Sequence, residues 1–374
     1  MHRLNTKWAG TFPNIRAAEK ILIFIATDLG TEIASARISM KHVIFIACLI
    51  AVIHLTIATL FAQEPNLIQA ARREGRVVWY TVAGESLQVA QEFEKKYPFV
   101  KVEVVRSTVY PLLNRIFNEA RAGSYLFDVV RQSTFTFAQL IQKGLVQPYE
   151  SAEREGYSAG WKDNQGYWTS TDDNYFVVGY NTRLVSEREA PRDWEDLLLP
   201  KWRGQIGLDP DNHLLLGGLE QSWGREKAFA YFRKLAQQQV QFRTGNTLIA
   251  QLIVAGEYPL GFVYAHRVEL LKSQKAPMDW VSTMNPIITT GGPLGLAAKA
   301  QHPNAGKLLI DFVLSKSGQA QLRSYYRIPS RADLEPLSAK LDPRRLHLLP
   351  MSPNAAEKED DWRKQFRSIF GIQG

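Results

Sequence analysis

The sequence predicts an α/β protein built as two lobes with a cleft between them. Three observations carry this. Past residue 64, β-branched and aromatic runs alternate with amphipathic helical stripes, and strand–helix–strand spacing of that kind requires a crossover and therefore a parallel sheet. The alternation runs through two rounds, more than one compact sheet holds at ordinary domain sizes. The 374 residues are 45% hydrophobic, enough for two sizeable cores.

In the first round, "RVVWYTV" (76–82) reads as a buried strand. In "ESLQVAQEFEKKYP", Leu87, Ala90, Phe93 and Tyr97 fall near one helical face, and Pro98 closes the helix. "KVEVVRS" (101–107) is the second strand. Leu112, Leu113, Ile116, Phe117 and Ala120 then form a stripe that stops at Gly123. "FDVVRQS" (127–133) is the third strand, and "TFAQLIQKG" a short helix.

The second round opens with the strand "YFVVGYNT" (175–182). "PRDWEDLLLPKWRGQ" is expected to be helical until Pro200, and "QIGLD" to be a strand. "REKAFAYFRKLAQQ" sets Phe229, Phe232, Leu235 and Ala236 on one helical face. "TLIAQLIVAGE" is the next helix, with Thr247 in its first turn. "YPLGFVYAH" and "MDWVST" are strands. "GGPLG" (291–295) lacks dinucleotide-loop spacing and is expected to be a flexible hinge. "PNAGKLLIDFVLSKSGQAQL" is expected to be one strong helix entered at Pro303. Trp362, Phe366, Ile369 and Phe370 mark a closing amphipathic helix.

The chain carries a formal charge of +8, of which the first 62 residues contribute +3. The remainder holds no dense Lys/Arg block, so nucleic acid is not expected as a partner. The sole cysteine, Cys48, lies in the most apolar stretch, 40–65. Lys41 and His42 form a basic start, Val43–Ile57 an apolar middle, and Ala62 precedes polar Gln63. This is the pattern of a secretory signal peptide over 40–62, too short for a spanning helix. Residues 1–39 are then expected to precede the native start. A mature chain without cysteine excludes thiol catalysis and needs no disulfide in an oxidising compartment.

"HPNAGKLLIDFVLSKSGQAQL", "PRDWEDLLLPKWRGQIGL", "YFVVGYNT" and "GEYPLGF", in this order and spacing, resemble the extracellular solute-binding proteins of bacterial ABC importers. The nearest branch is the ferric-iron-type group of the type II periplasmic binding proteins. The resemblance covers roughly residues 64–331. It implies two α/β lobes joined by hinge strands. Lobe 1 is expected over 66–172 and 286–330, lobe 2 over 175–284, and a C-terminal segment over 331–374. It also implies a periplasmic monomer without a resident cofactor. Such a protein captures a small anion, or ferric iron with an anion, and delivers it to an inner-membrane permease.

Ligands of open α/β sheets sit beyond the carboxyl ends of strands, where helix N-termini converge. That places Thr81, Glu85, Ser86, Arg106, Arg131, Ser133, Thr134, Arg243, Thr247, Tyr264, His266 and Arg267 as candidate ligand contacts. Hydroxyls, guanidiniums and free backbone N–H groups suit an anion or a metal–anion pair. Tyr264 and His266 are the metal candidates. Ferric-binding members of the resembling group carry adjacent tyrosines near this position; here a single tyrosine stands two residues before a histidine. Asp209 and Asp211 are read first as turn formers around Pro210.

G-x-S-x-G, H-E-x-x-H, P-loop and G-x-G-x-x-G patterns are all missing, so the chain is expected not to be an enzyme. A receptor-coupled sensor and a secreted hydrolase using carboxylates are the alternatives.

Overall fold

The computed structural model describes residues 67–351 and 353–372. The expected leader, the residues before it and Cys48 lie outside the described residues. A helix, α1, covers residues 67–74. It leads into β1 (Arg76–Thr81), buried at every position after Arg76. β1 pairs in parallel with β2 (Lys101–Arg106) and β3 (Val129–Arg131). Helices α2 (Ser86–Lys96), α3 (Val109–Arg121) and α4 (Thr134–Gln142) follow these strands in turn. α3 buries Leu112, Leu113 and Ile116 of its expected stripe, whereas α2 buries Ala90 and Phe93 with Val89 and leaves the expected Leu87 exposed.

Short β4 (Val146–Gln147) precedes β5 (Thr169–Asn181), 13 residues buried throughout. The second half of the chain supplies β6 (Ile206–Leu208), α5 (Leu214–Trp223), α6 (Arg225–Gln237), β7 (Gln241–Phe242) and α7 (Asn246–Ala255). It continues with β8 (Leu260–Tyr264), α8 (Ala265–Ser273), β9 (Met278–Trp280) and β10 (Ile287–Ala297). α9 (Pro303–Leu314), α10 (Lys316–Ser324), β11 (Ile328–Pro329), β12 (Leu348–Pro350) and α11 (Glu359–Phe370) complete the order.

The strands join in the order β2-β1-β3-β10-β5-β8-β6-β7. The two middle strands explain the architecture. One end of β10 pairs with β3, from Leu294 opposite Arg131 to Leu296 opposite Val129. One end of β5 pairs with β8, from Phe176 opposite Tyr264 to Tyr180 opposite Leu260. β5 and β10 are antiparallel to each other, with a register shift between Gly291 and Pro293. Both strands therefore run from one lobe into the other.

Apolar packing divides in the same way. The first-lobe sheet is covered on both faces, by a cluster around Phe93, Val129, Leu309 and Phe312 and by another around Tyr80, Leu112, Phe137 and Leu140. The second lobe has one larger core around Trp194, Leu215, Phe232, Phe262 and Trp280, and it takes in Trp362 and Phe366 of α11.

Three sequence expectations change. β5 begins at Thr169, ahead of the expected Tyr175, because the polar run 169–174 is buried through hydrogen bonds and ion pairs. Apolar periodicity does not register burial of that kind. "PRDWEDLLLPKWRGQ" is not one helix but two short 3₁₀ turns, Trp194–Leu198 and Pro200–Trp202. The Trp194 indole N–H donates to Pro286 O at 2.9 Å, and Pro200 cannot continue a helix already begun. The helix expected from Pro303 breaks at Ser315, whose backbone is extended and whose Oγ accepts from Gly318 N at 3.1 Å. "GGPLG", expected as a hinge, lies within β10, one of the two strands that run between the lobes, at the register shift between Gly291 and Pro293.

Candidate functional site

β8 ends at Tyr264, and Ala265 begins α8, so Tyr264 and His266 sit on a strand-to-helix junction. Their rings nonetheless stack, 5.6 Å apart and 17° from parallel. Tyr264 also packs on Phe176 of β5, at 4.8 Å. Side chains alternate along a strand, so Asp172, Asn174 and Phe176 share this face of β5. The second-lobe junction thus comes up against the hinge.

Asp172 is the centre of what it meets. Arg131 Nη2 donates to both its oxygens, at 2.7 and 2.9 Å, and Arg327 Nη1 donates to Oδ2 at 3.0 Å. Arg327 also reaches Asn174 Oδ1 at 3.1 Å and Glu85 Oε2 at 2.8 Å through Nε. All five side chains are buried. Burial alone would push the Asp172 carboxyl up; the Arg131 and Arg327 guanidiniums overcome it and hold it well below the usual carboxylate range. Burial works against the charge on Arg327 as well, yet Glu85 and Asp172 raise its pKa further. Gly292 makes the pair fit, since a Cβ there would run into the Arg131 guanidinium and the Asp172 carboxylate. Neighbouring Asp173 has no such partner, and burial pushes its carboxyl well up.

The candidate residues divide between scaffold and cleft. Thr81 Oγ1 and Ser86 Oγ bond each other at 2.9 Å and tie the β1–α2 turn, with Ser86 donating to Ala83 O and Thr81 accepting from Ala83 N. Their hydroxyls build the turn that presents Glu85. Ser133 Oγ bonds Thr136 Oγ1 at 2.8 Å, and Thr134 Oγ1 donates to Gly291 O at 3.4 Å. Arg243 lies on the surface, paired with Glu257 at 2.9 Å, and Thr247 is exposed in the first turn of α7. Asp209 accepts from Asp211 N at 3.0 Å and Gly245 N at 2.7 Å, which closes its turn and holds the entry to α7. Burial raises the Asp209 carboxyl to about 6.

Tyr264, His266, Arg267 and Arg131 come together, with Arg106 nearby. Burial raises the Tyr264 phenol, and the Asp209 charge raises it further. Burial lowers His266 well below its ordinary value, with Arg327 next in effect, so the imidazole is neutral. Arg267 is half-buried; burial lowers its pKa, and the charges of Glu85, Arg327 and Arg106 all reach it. Among the described residues, nothing hydrogen-bonds the buried Arg131 Nε, Arg267 Nε and His266 Nδ1.

Sequence reasoning missed Asp172, Asn174 and Arg327. It sought contacts beyond strand ends, whereas Asp172 and Asn174 lie inside β5 and Arg327 follows a helix. The available signal was the acidic pair Asp172–Asp173, directly continuous with an apolar strand.

Residues 126–347 match the bacterial extracellular solute-binding protein family. The chain belongs to that family. Its members bind solutes, as the sequence resemblance implied. A relative from Haemophilus influenzae, itself uncharacterised, is 26% identical over 301 residues, which is 75% of this chain and 85% of that protein. The fold is shared with iron-bound HitA of Pseudomonas aeruginosa, at TM-score 0.70 and 19% identity over 79% of this chain and 99% of that one. It is also shared with AfuA of Actinobacillus pleuropneumoniae carrying fructose-6-phosphate, at TM-score 0.73 and 23% identity over 80% and 99%. Among the described residues no helix is long and apolar enough to cross a membrane, and no group of three or more His, Cys, Asp and Glu residues is placed to hold a metal ion.

Proposed function

We propose that this protein captures a small anion between its lobes in the periplasm and hands it to the permease of an ABC importer. One observation carries the choice of ligand. Arg131 Nε, Arg267 Nε and His266 Nδ1 are buried near one another with no hydrogen-bond partner among the described residues. A guanidinium N–H in low dielectric is satisfied best by an oxyanion, through a charge-assisted hydrogen bond. The imidazole accepts or donates according to its tautomer, so it suits a hydroxyl or a protonated oxygen of the same ligand.

Ferric iron with an accompanying anion is the second reading, and Tyr264 favours it because phenolate oxygen suits a hard cation. Against it, burial and Asp209 hold the phenol protonated, and the flanking guanidiniums repel a trivalent ion. The relatives of known ligand do not decide the matter, since HitA carries iron and AfuA a sugar phosphate.

Native mass spectrometry of protein purified without refolding, with metal analysis of the same sample, separates the readings. An added mass without iron supports the anion. One iron per chain overturns it. Small-angle scattering with the identified ligand then tests capture itself, which requires a smaller radius at saturation.

A further inference from the structure

We propose that Glu359, the first residue of α11, is a positioning residue that holds the two lobes in their closed arrangement. α11 belongs to the second lobe by packing. Trp362 lies against Gly217 of α5 and its indole N–H donates to Glu220 Oε2 at 2.9 Å, while Phe366 and Phe370 pack on Phe232 of α6. The N-terminal end of α11 faces the other way. Glu359 is 1% exposed, and three groups share its carboxylate. Tyr110 OH of α3 donates to Oε1 at 2.6 Å, and Gln139 Nε2 of α4 donates to Oε2 at 3.1 Å; both are first-lobe residues. His213 Nε2, at the start of α5 in the second lobe, lies 3.4 Å from Oε1 and 3.0 Å from Tyr110 OH.

The hydrogens distribute in one consistent way. The phenol gives its hydrogen to the carboxylate, so His213 donates from Nε2 to the phenol oxygen. Arg363 of α11 adds a guanidinium 4.2 Å from the centre of the Tyr110 ring and 3.6 Å from Glu359. Phe135 of α4 meets Trp362 at 6.1 Å beside this cluster.

A carboxylate buried this deeply needs its donors. A rotation that opens the cleft separates α3 and α4 from α5. Glu359 stays with the second lobe and loses Tyr110 and Gln139. Closure restores both bonds without help from any ligand. The C-terminal helix is therefore a third tie between the lobes, beside β5 and β10, and it sets how far the empty protein is already closed.

The test reads the interlobe distance with no ligand added. Exposed Leu87 and Leu248 lie at the starts of α2 and α7, one on each lobe. Nitroxides on Leu87→Cys and Leu248→Cys, in a Cys48→Ser background of the full chain, report the distance distribution by pulsed electron resonance. Glu359→Ala should raise the ratio of long to short distances about tenfold, as loss of one or two charge-assisted bonds implies. Tyr110→Phe, which removes only the hydroxyl, should move it in the same direction by less. Thermal melts of both variants serve as the control. A melting point that falls while the distances stay at wild type makes Glu359 merely structural and overturns the proposal. The proposal rests on the lobes moving and not on which ligand they hold. A wild-type distance that also ignores the identified ligand sinks capture by closure together with it, whereas a wild-type response with an inert Glu359→Ala sinks only this one.

Discussion

On the hinge side of the cleft, each buried guanidinium is bonded to a carboxylate: Arg131 to Asp172, and Arg327 to Asp172 and Glu85. On the second-lobe side, Tyr264, His266 and Arg267 have no charged partner bonded to them among the described residues, and two of the three carry a buried orphan nitrogen. The hinge side is thus a charge-balanced network in which Arg131 Nε still lacks a partner among the described residues, and the second-lobe side an unfinished one. A paired network is tied to the fold and responds to substitution through stability. An unfinished one can be completed only by something that binds, and responds through affinity.

Removing one member of the paired set gives the largest expected effect. Arg327→Ala leaves Glu85 and much of Asp172 buried without compensation, and should cost about 3–5 kcal/mol of stability. Chemical denaturation measures it. A loss below about 1 kcal/mol would mean that the network is not structural and that the contrast between the two sides fails.

Asp209 stands next, and its effect depends on pH. Its native carboxyl keeps a proton up to about 6, whereas in the unfolded chain it gives one up near pH 4. The native state binds more protons between these values, so this group's contribution is complete below about pH 4, falls as pH rises to about 6, and is flat above. Asp209→Asn should remove about 2–3 kcal/mol of that fall. Denaturation midpoints at pH 4, 5, 6 and 7 show it as a difference in slope between the two proteins; parallel profiles would contradict it.

Tyr264→Phe and His266→Ala act on the unfinished side. Each should weaken ligand binding by about 1–3 kcal/mol and change stability much less. Calorimetry with the ligand identified by mass spectrometry, beside thermal melts, separates the two effects. If both variants bind as wild type, specificity lies with the guanidiniums alone. The smallest effect belongs to Arg243→Ala. Its pair with Glu257 is exposed, so stability should shift by no more than about 1 kcal/mol and affinity should not change. A clear loss of affinity would move the anion site outward to the entry of α7.

The strands and stripes that bury apolar side chains were legible, from "VVWYT" in β1 to the Trp362–Phe366–Phe370 face of α11. So was the placing of Tyr264, His266, Arg131 and Glu85 together, because each stands where a strand gives way to a helix. Asp172 and Arg327 were not, since they are 155 residues apart in sequence and only the folded chain brings them within 3.0 Å. A buried charge is recognised by its partner, and no local pattern announces a partner so distant. Arg243 failed for the converse reason. Its Gly-containing neighbourhood matches an anion site locally, but the fold turns it outward to Glu257.

Because β5 and β10 each serve both lobes, neither lobe is a continuous segment of chain. Cutting the gene at the sequence midpoint would sever a sheet and would not free a module. Each half would expose the edge of a strand whose partner lies in the other. A nick between them leaves fragments that each lack strands held by the other, so they must be recovered together or lost together. What joins the lobes for motion also makes each lobe depend on strands it shares with the other.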